Sequence, residues 1–167
     1  MQWSISRAAG VVTASAMVSV LAAAPATATN SRVVLSHYYD SGTEIVPSEN
    51  IVCAPGGQAI QGRATFGTRP GDVWQGTTTY DYCLYPEATP GQYRYIGTET
   101  LTGSAAGCGT GSFTWIGVGT TAGGGTWRIV SGSGTGDLAG ARGRGTNTAT
   151  TSPTWENYGD FKGAFAC

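Results

Sequence analysis

Apolar and polar residues alternate with a period of two along most of the chain, the mark of strands buried on one face. The alternation is clearest over Val73–Tyr85. Trp74, Tyr80, Tyr82 and Leu84 share one face there, and Thr79, Asp81 and Cys83 the other. Over Gln92–Gly103 the odd positions Tyr93, Tyr95, Gly97, Glu99 and Leu101 lie together. The even positions are mostly polar, with Ile96 the exception. Weaker versions of the pattern predict strands at Ser31–Asp40, Ala59–Gly67, Ser112–Val118, Thr126–Ser131, Arg142–Thr150 and Asn157–Ala166. Ile60, Gly62, Ala64 and Phe66 share a face of the second of these runs, Phe113 and Trp115 of the third. Trp127 and Ile129 oppose Arg128, and Phe161 and Phe165 are in register.

Turn signals separate the runs. Arg69-Pro70-Gly71-Asp72 and Ala88-Thr89-Pro90-Gly91 supply the proline and glycine that tight turns need. Residues 41–58 read as a loop carrying Cys53, and Gly132–Thr146 as a tight glycine-rich connection between two antiparallel strands. Eight short strands with no helical pattern beyond the first residues favour an all-β barrel or sandwich. An eight-stranded antiparallel up-and-down barrel removes the exposed edges that invite aggregation. Its interior is either just filled or holds one small ligand. In such a meander successive connections alternate between the two ends. Cys53 and Cys83 then fall at one end, Cys108 and Cys167 at the other, so the expected bridges are Cys53–Cys83 and Cys108–Cys167.

Composition sets the compartment. Arg7 is followed by an apolar run, Ala8–Ala24, then Pro25 and the small residues Ala26-Thr27-Ala28, the pattern of a cleaved secretory signal. The division expected is a signal peptide over residues 1–28 and a single β-barrel domain over 29–167, exported from the cell with no membrane anchor after cleavage. All four cysteines lie in the second part, and an even count in an exported chain favours disulfides. A metal site is not expected, since there is no CxxC pair and His37 is the sole histidine. Only 11% of residues are charged, which excludes the basic footprint of a nucleic-acid binder.

The run Tyr95-Ile96-Gly97-Thr98-Glu99-Thr100-Leu101-Thr102-Gly103, then Gly111-Ser112-Phe113, Gly125-Thr126-Trp127 and Gly132-Ser133-Gly134-Thr135-Gly136-Asp137-Leu138-Ala139-Gly140, resembles a family of small bacterial proteins of unknown function. The resemblance covers roughly residues 92–147, with a looser match of the last strand. It implies a barrel similar to that of allene oxide cyclase and, more distantly, of dirigent proteins. It implies no activity, because a fold does not fix function.

Candidate chemistry is sparse. Gly132–Thr146 lacks the lysine and the following helix of a phosphate loop, so it reads as structural. There is no GxSxG elbow for a serine nucleophile. His37, placed by alternation beside Val33, Leu35 and Tyr39, reads as a packing or surface residue, and Arg142 and Arg144 as solvated charges. Glu99 is the one acid on a face of aromatics. Turned inward, it would be desolvated and held partly neutral, which suits a general acid or base. The bland alternative is a structural carboxyl bonded to tyrosine hydroxyls. Three functions follow. A secreted binding barrel would line its cavity with Trp74, Tyr80, Tyr82, Tyr95, Phe113 and Trp127 and take a small apolar or aromatic molecule. An enzyme of the cyclase or isomerase kind would use Glu99 as its catalytic group, with no cofactor. A structural or interaction protein would have a filled interior.

Overall fold

A computed structural model of the protein describes residues 33–41, 45–151 and 156–167; the signal-like segment lies outside these. Eight strands form one closed antiparallel barrel, and no helix occurs among the described residues. They are β1 (Val33–Asp40), β2 (Gln58–Phe66), β3 (Trp74–Pro86), β4 (Tyr93–Ala105), β5 (Gly109–Thr120), β6 (Gly124–Ile129), β7 (Arg142–Asn147) and β8 (Asn157–Ala166). Each strand pairs with its sequence neighbours. β8 returns to β1, with Val33 opposite Gly163 and Asp40 opposite Asn157, which closes the meander. β1 meets β2 more briefly, at Tyr38–Phe66 and Tyr39–Thr65.

The inward faces are those the alternation predicts on β2 to β6 and β8. Phe66, Trp74, Leu101, Phe113, Trp115, Trp127 and Phe161 form one buried cluster. Their rings interlock edge to face, with centroids 5.1 Å apart for Trp74–Phe113, Trp74–Trp127 and Phe66–Phe161. Such pairs each add about 0.5–1.5 kcal/mol beyond the area they bury. The cluster fills the end of the barrel where the β2–β3, β4–β5 and β6–β7 connections lie.

The two disulfides are Cys53–Cys83 and Cys108–Cys167, the pairing that alternation of ends requires. They mark an oxidising compartment outside the cytoplasm. One fixes the β1–β2 connection to β3, the other the last residue to the β4–β5 turn.

Three local readings are corrected. On β1 the register shifts between Val34 and Ser36, a β-bulge that reverses the alternation beyond it. Leu35 is buried inside, whereas His37 and Tyr39 point outward and Tyr38 and Asp40 inward. The glycine stretch is also more than a tight turn. Gly132 and Gly136, at φ +76° and +58°, let the chain fold back so that Thr135–Gly136 pairs with Gly111–Ser112 on β5. Leu138, with no exposure at all, is driven into the end of the barrel as a plug. A short pair, Val46–Pro47 against Ile60–Gln61, likewise occupies part of the expected loop over residues 41–58.

Candidate functional site

The opposite end of the barrel is hollow. A cavity of about 110 Å³ opens toward the β1–β2, β3–β4, β5–β6 and β7–β8 connections. Glu99 marks its floor: Leu101, the next inward residue of β4, is already part of the sealed core. Tyr38, Tyr80, Tyr82 and Tyr95 supply much of the wall, with Trp115, Trp127 and Phe161 below.

The long tyrosines fit because their cross-strand neighbours are small. Gly62 lies opposite Tyr80 and Gly97 opposite Tyr82. A Cβ on Gly62 would stand 2.3 Å from the Tyr80 hydroxyl, and one on Gly97 2.6 Å from the Tyr82 ring. The rings therefore lie along the wall rather than across the cavity.

Neutral hydroxyls hold both carboxyls of the site. Thr78 Oγ1 donates to Glu99 Oε1 at 2.5 Å, and the Tyr82 hydroxyl to Oε2 at 3.0 Å. The Tyr80 hydroxyl donates to Asp40 Oδ2 at 2.5 Å. Tyr95 and Asn147 bond to each other at 2.9 and 3.2 Å. Burial pushes the Glu99 carboxyl up to about 7 against an ordinary 4.5; the Thr78 and Tyr82 bonds pull it down and the Asp40 charge adds to the rise. At neutral pH the group is thus poised between its two forms. Burial and the same carboxyls push Tyr38, Tyr80 and Tyr82 well above 10, so these phenols remain donors at any physiological pH.

A profile for a family of proteins of unknown function, DUF3224, matches residues 56–158. The chain belongs to the DUF3224 family. A crystal structure of a DUF3224 protein of unknown function from Shewanella oneidensis MR-1 is similar to it, with a TM-score of 0.52 over 83% of this chain and 98% of that one. The two are 17% identical, so the likeness is one of fold. No curated protein matches in sequence.

Within this DUF3224 barrel the predicted residues separate into two groups. Glu99, Tyr80, Tyr82, Tyr95 and Trp127 meet at the cavity. Trp74 and Phe113 face inward too but sit in the sealed core, because their positions on β3 and β5 are nearer the plugged end. His37 lies on the outside, its Nδ1 2.6 Å from Asp72 Oδ1 and its Nε2 3.4 Å from Asp160 Oδ1. Arg142 and Arg144 are exposed.

Five further residues belong to the site. Asp40 and Tyr38 are brought in by the β1 bulge. Thr78 is the lone small polar residue on the inward face of β3 between Trp74 and Tyr80. Asn147 ends a strand whose inward positions are otherwise Gly143 and Gly145. Trp115 stands on the face of β5 already recognised as inward. The patterns that expose Thr78 and Asn147 are visible in the sequence; the bulge is not.

Proposed function

We propose that the protein is an exported barrel that binds one small, largely apolar or aromatic molecule in the open end of its interior. The observation that carries this reading is the cavity itself: aromatic walls around a few fixed polar groups, the usual make-up of a ligand pocket. Its volume limits the guest. Pockets for drug-sized ligands run to about 300 Å³ or more, and an apolar cavity of about 150 Å³ takes a single benzene. At about 110 Å³ this site is smaller still, so one ring is the upper limit for its guest, with part of that guest in the open mouth. Export is supported by the two disulfides and by the composition of residues 1–28. Mass spectrometry of the protein recovered from culture medium would find Thr29 at its N-terminus; a chain starting at Met1 inside the cell would refute export.

Binding is tested by nuclear magnetic resonance with a library of single-ring compounds. Shifts confined to Tyr80, Tyr82, Tyr95 and Trp127 are expected. A folded barrel whose cavity residues respond to none of the library refutes the reading. The state of Glu99 favours a second reading, a cofactor-independent acid–base enzyme of the isomerase or cyclase kind. A carboxyl near 7 can both take and return a proton. Turnover lost in Glu99→Gln with binding retained would separate enzyme from binder.

A further inference from the structure

The cavity is one-sided in charge. Asp40 and Glu99 line it, and none of its lining residues among those described is lysine, arginine or histidine. Glu99 is bonded only through the neutral hydroxyls of Thr78 and Tyr82 and takes part in no ion pair among the described residues. Around Glu99 much of the remaining wall is aromatic: Tyr82 and Tyr95 have centroids 5.3 Å apart, with Trp115 and Trp127 below. Aromatic rings attract cations through their quadrupoles, most strongly where water is excluded. The carboxyl and the rings therefore select the same charge. An anion would add negative charge beside Glu99, where none of the described lining residues is cationic, and a neutral ring would leave the Glu99 oxygens without a charged donor.

We propose that the guest is a small organic ammonium ion, a primary or methylated amine on a body no larger than one ring, with its nitrogen at the Glu99 carboxylate and its carbon frame against Tyr82, Tyr95, Trp115 and Trp127. The proposal rests on the cavity being a ligand site and names what that site takes. Binding is then an exchange of cations at one carboxyl. Protonated Glu99 and the incoming ammonium give carboxylate, bound ammonium and a proton released to solvent. The titratable groups facing Glu99 are Asp40 and Tyr38 from β1, Tyr80 and Tyr82 from β3 and Tyr95 from its own strand; β2, β5, β6, β7 and β8 present Ile60, Trp115, Trp127, Asn147 and Phe161. The phenols stay protonated, so among these groups the released proton comes from a carboxyl, and Glu99 is the one held partly protonated at neutral pH.

Calorimetric titration of the disulfide-intact protein with benzylamine, benzyl alcohol and benzoate, in two buffers of different ionisation enthalpy, tests this. Benzylamine is expected to bind at least about tenfold more tightly than benzyl alcohol, the worth of one charge-assisted bond, and benzoate not at all. Since Glu99 titrates near 7, about half a proton is released per benzylamine at pH 7, approaching one at pH 6 and falling toward zero at pH 8. In Glu99→Gln both the amine preference and the proton release disappear while benzyl alcohol still binds. Benzyl alcohol binding as well as benzylamine, or no proton release by the wild type at pH 6 to 7, overturns the ammonium assignment and leaves the ligand site standing; the second result needs no variant to fold. Binding by none of the three compounds removes the ligand site, and this assignment with it.

Discussion

Replacing Glu99 by glutamine gives a direct measure of what the buried carboxyl costs the fold. Glutamine has the shape of the protonated acid and, like it, offers one acceptor and one donor edge to Thr78 and Tyr82. It differs in never ionising. The folded barrel holds the Glu99 proton up to about pH 7, against an ordinary value of 4.5. A raised carboxyl means that the folded state binds protons more tightly than the unfolded chain. The Glu99 contribution to stability is therefore greatest below about pH 4.5, falls as pH rises toward 7, and levels off above. At about 1.4 kcal/mol per pH unit the loss across this window is about 3 kcal/mol. That is a sizeable part of the roughly 5–15 kcal/mol by which a domain is stable. Urea unfolding of both proteins with disulfides intact, from pH 4 to 8.5, reads the difference directly. The variant should match the wild type near pH 4 and exceed it by about 3 kcal/mol at pH 8.5. A difference that stays constant with pH would refute the burial argument for Glu99.

Leu138→Ala empties the plug and is expected to cost about 2–5 kcal/mol, with faster amide exchange in β5 and β7. The pH dependence assigned to Glu99, at the far end, should not change. Gly62→Ala puts a methyl 2.3 Å from the Tyr80 hydroxyl, so the ring must swing away and its bond to Asp40 break. A loss of about 1–3 kcal/mol in thermal or denaturant unfolding is expected. Burial alone would raise Asp72, but the His37 side chain and the backbone N–H groups of His37 and Arg69 more than offset it and hold the carboxyl below 3.8. The stability this gives is present above that value and lost as pH falls through the lowered one. Asp72→Asn should therefore unfold with a shallower acid limb in circular dichroism.

Regular strands made most of the barrel legible. On β3 and β4 no bulge intervenes, so counting by twos from Trp74 reaches Tyr80 and Tyr82, and from Tyr93 reaches Tyr95 and Glu99. The same count fails on β1, where one extra residue near Leu35 moves Tyr38 and Asp40 into the cavity and His37 out of it. A bulge has no local composition that announces it; it is fixed by the partner strand. How deep a residue sits is also hidden from a period of two. Trp74 and Tyr80 share a face, yet one is core and the other lines the cavity, and it is closure by Leu138 at the opposite end that decides which. The disulfide pairing was readable because a meander leaves little freedom in which connections share an end.

The join between β1 and β2 has a mechanical consequence. β3 and β4 pair from Trp74 to Pro86, whereas among the described residues β1 and β2 share two ladder pairs, Tyr38–Phe66 and Tyr39–Thr65, continued by the Gly67 and Thr68 N–H groups donating to His37 O and Val73 N–H to Leu35 O. The barrel is in effect a split ring: stiff around most of its circumference, with one short seam. Elastic strain concentrates where the fewest bonds resist it, so opening begins there. The seam borders Tyr38 and Asp40, both at the cavity wall. Amide exchange at Tyr39 and Thr65 is therefore expected to be faster than along the β3–β4 pair. Cys53–Cys83 tethers the connection beside the seam to β3, so cutting this bridge is expected to speed that exchange further.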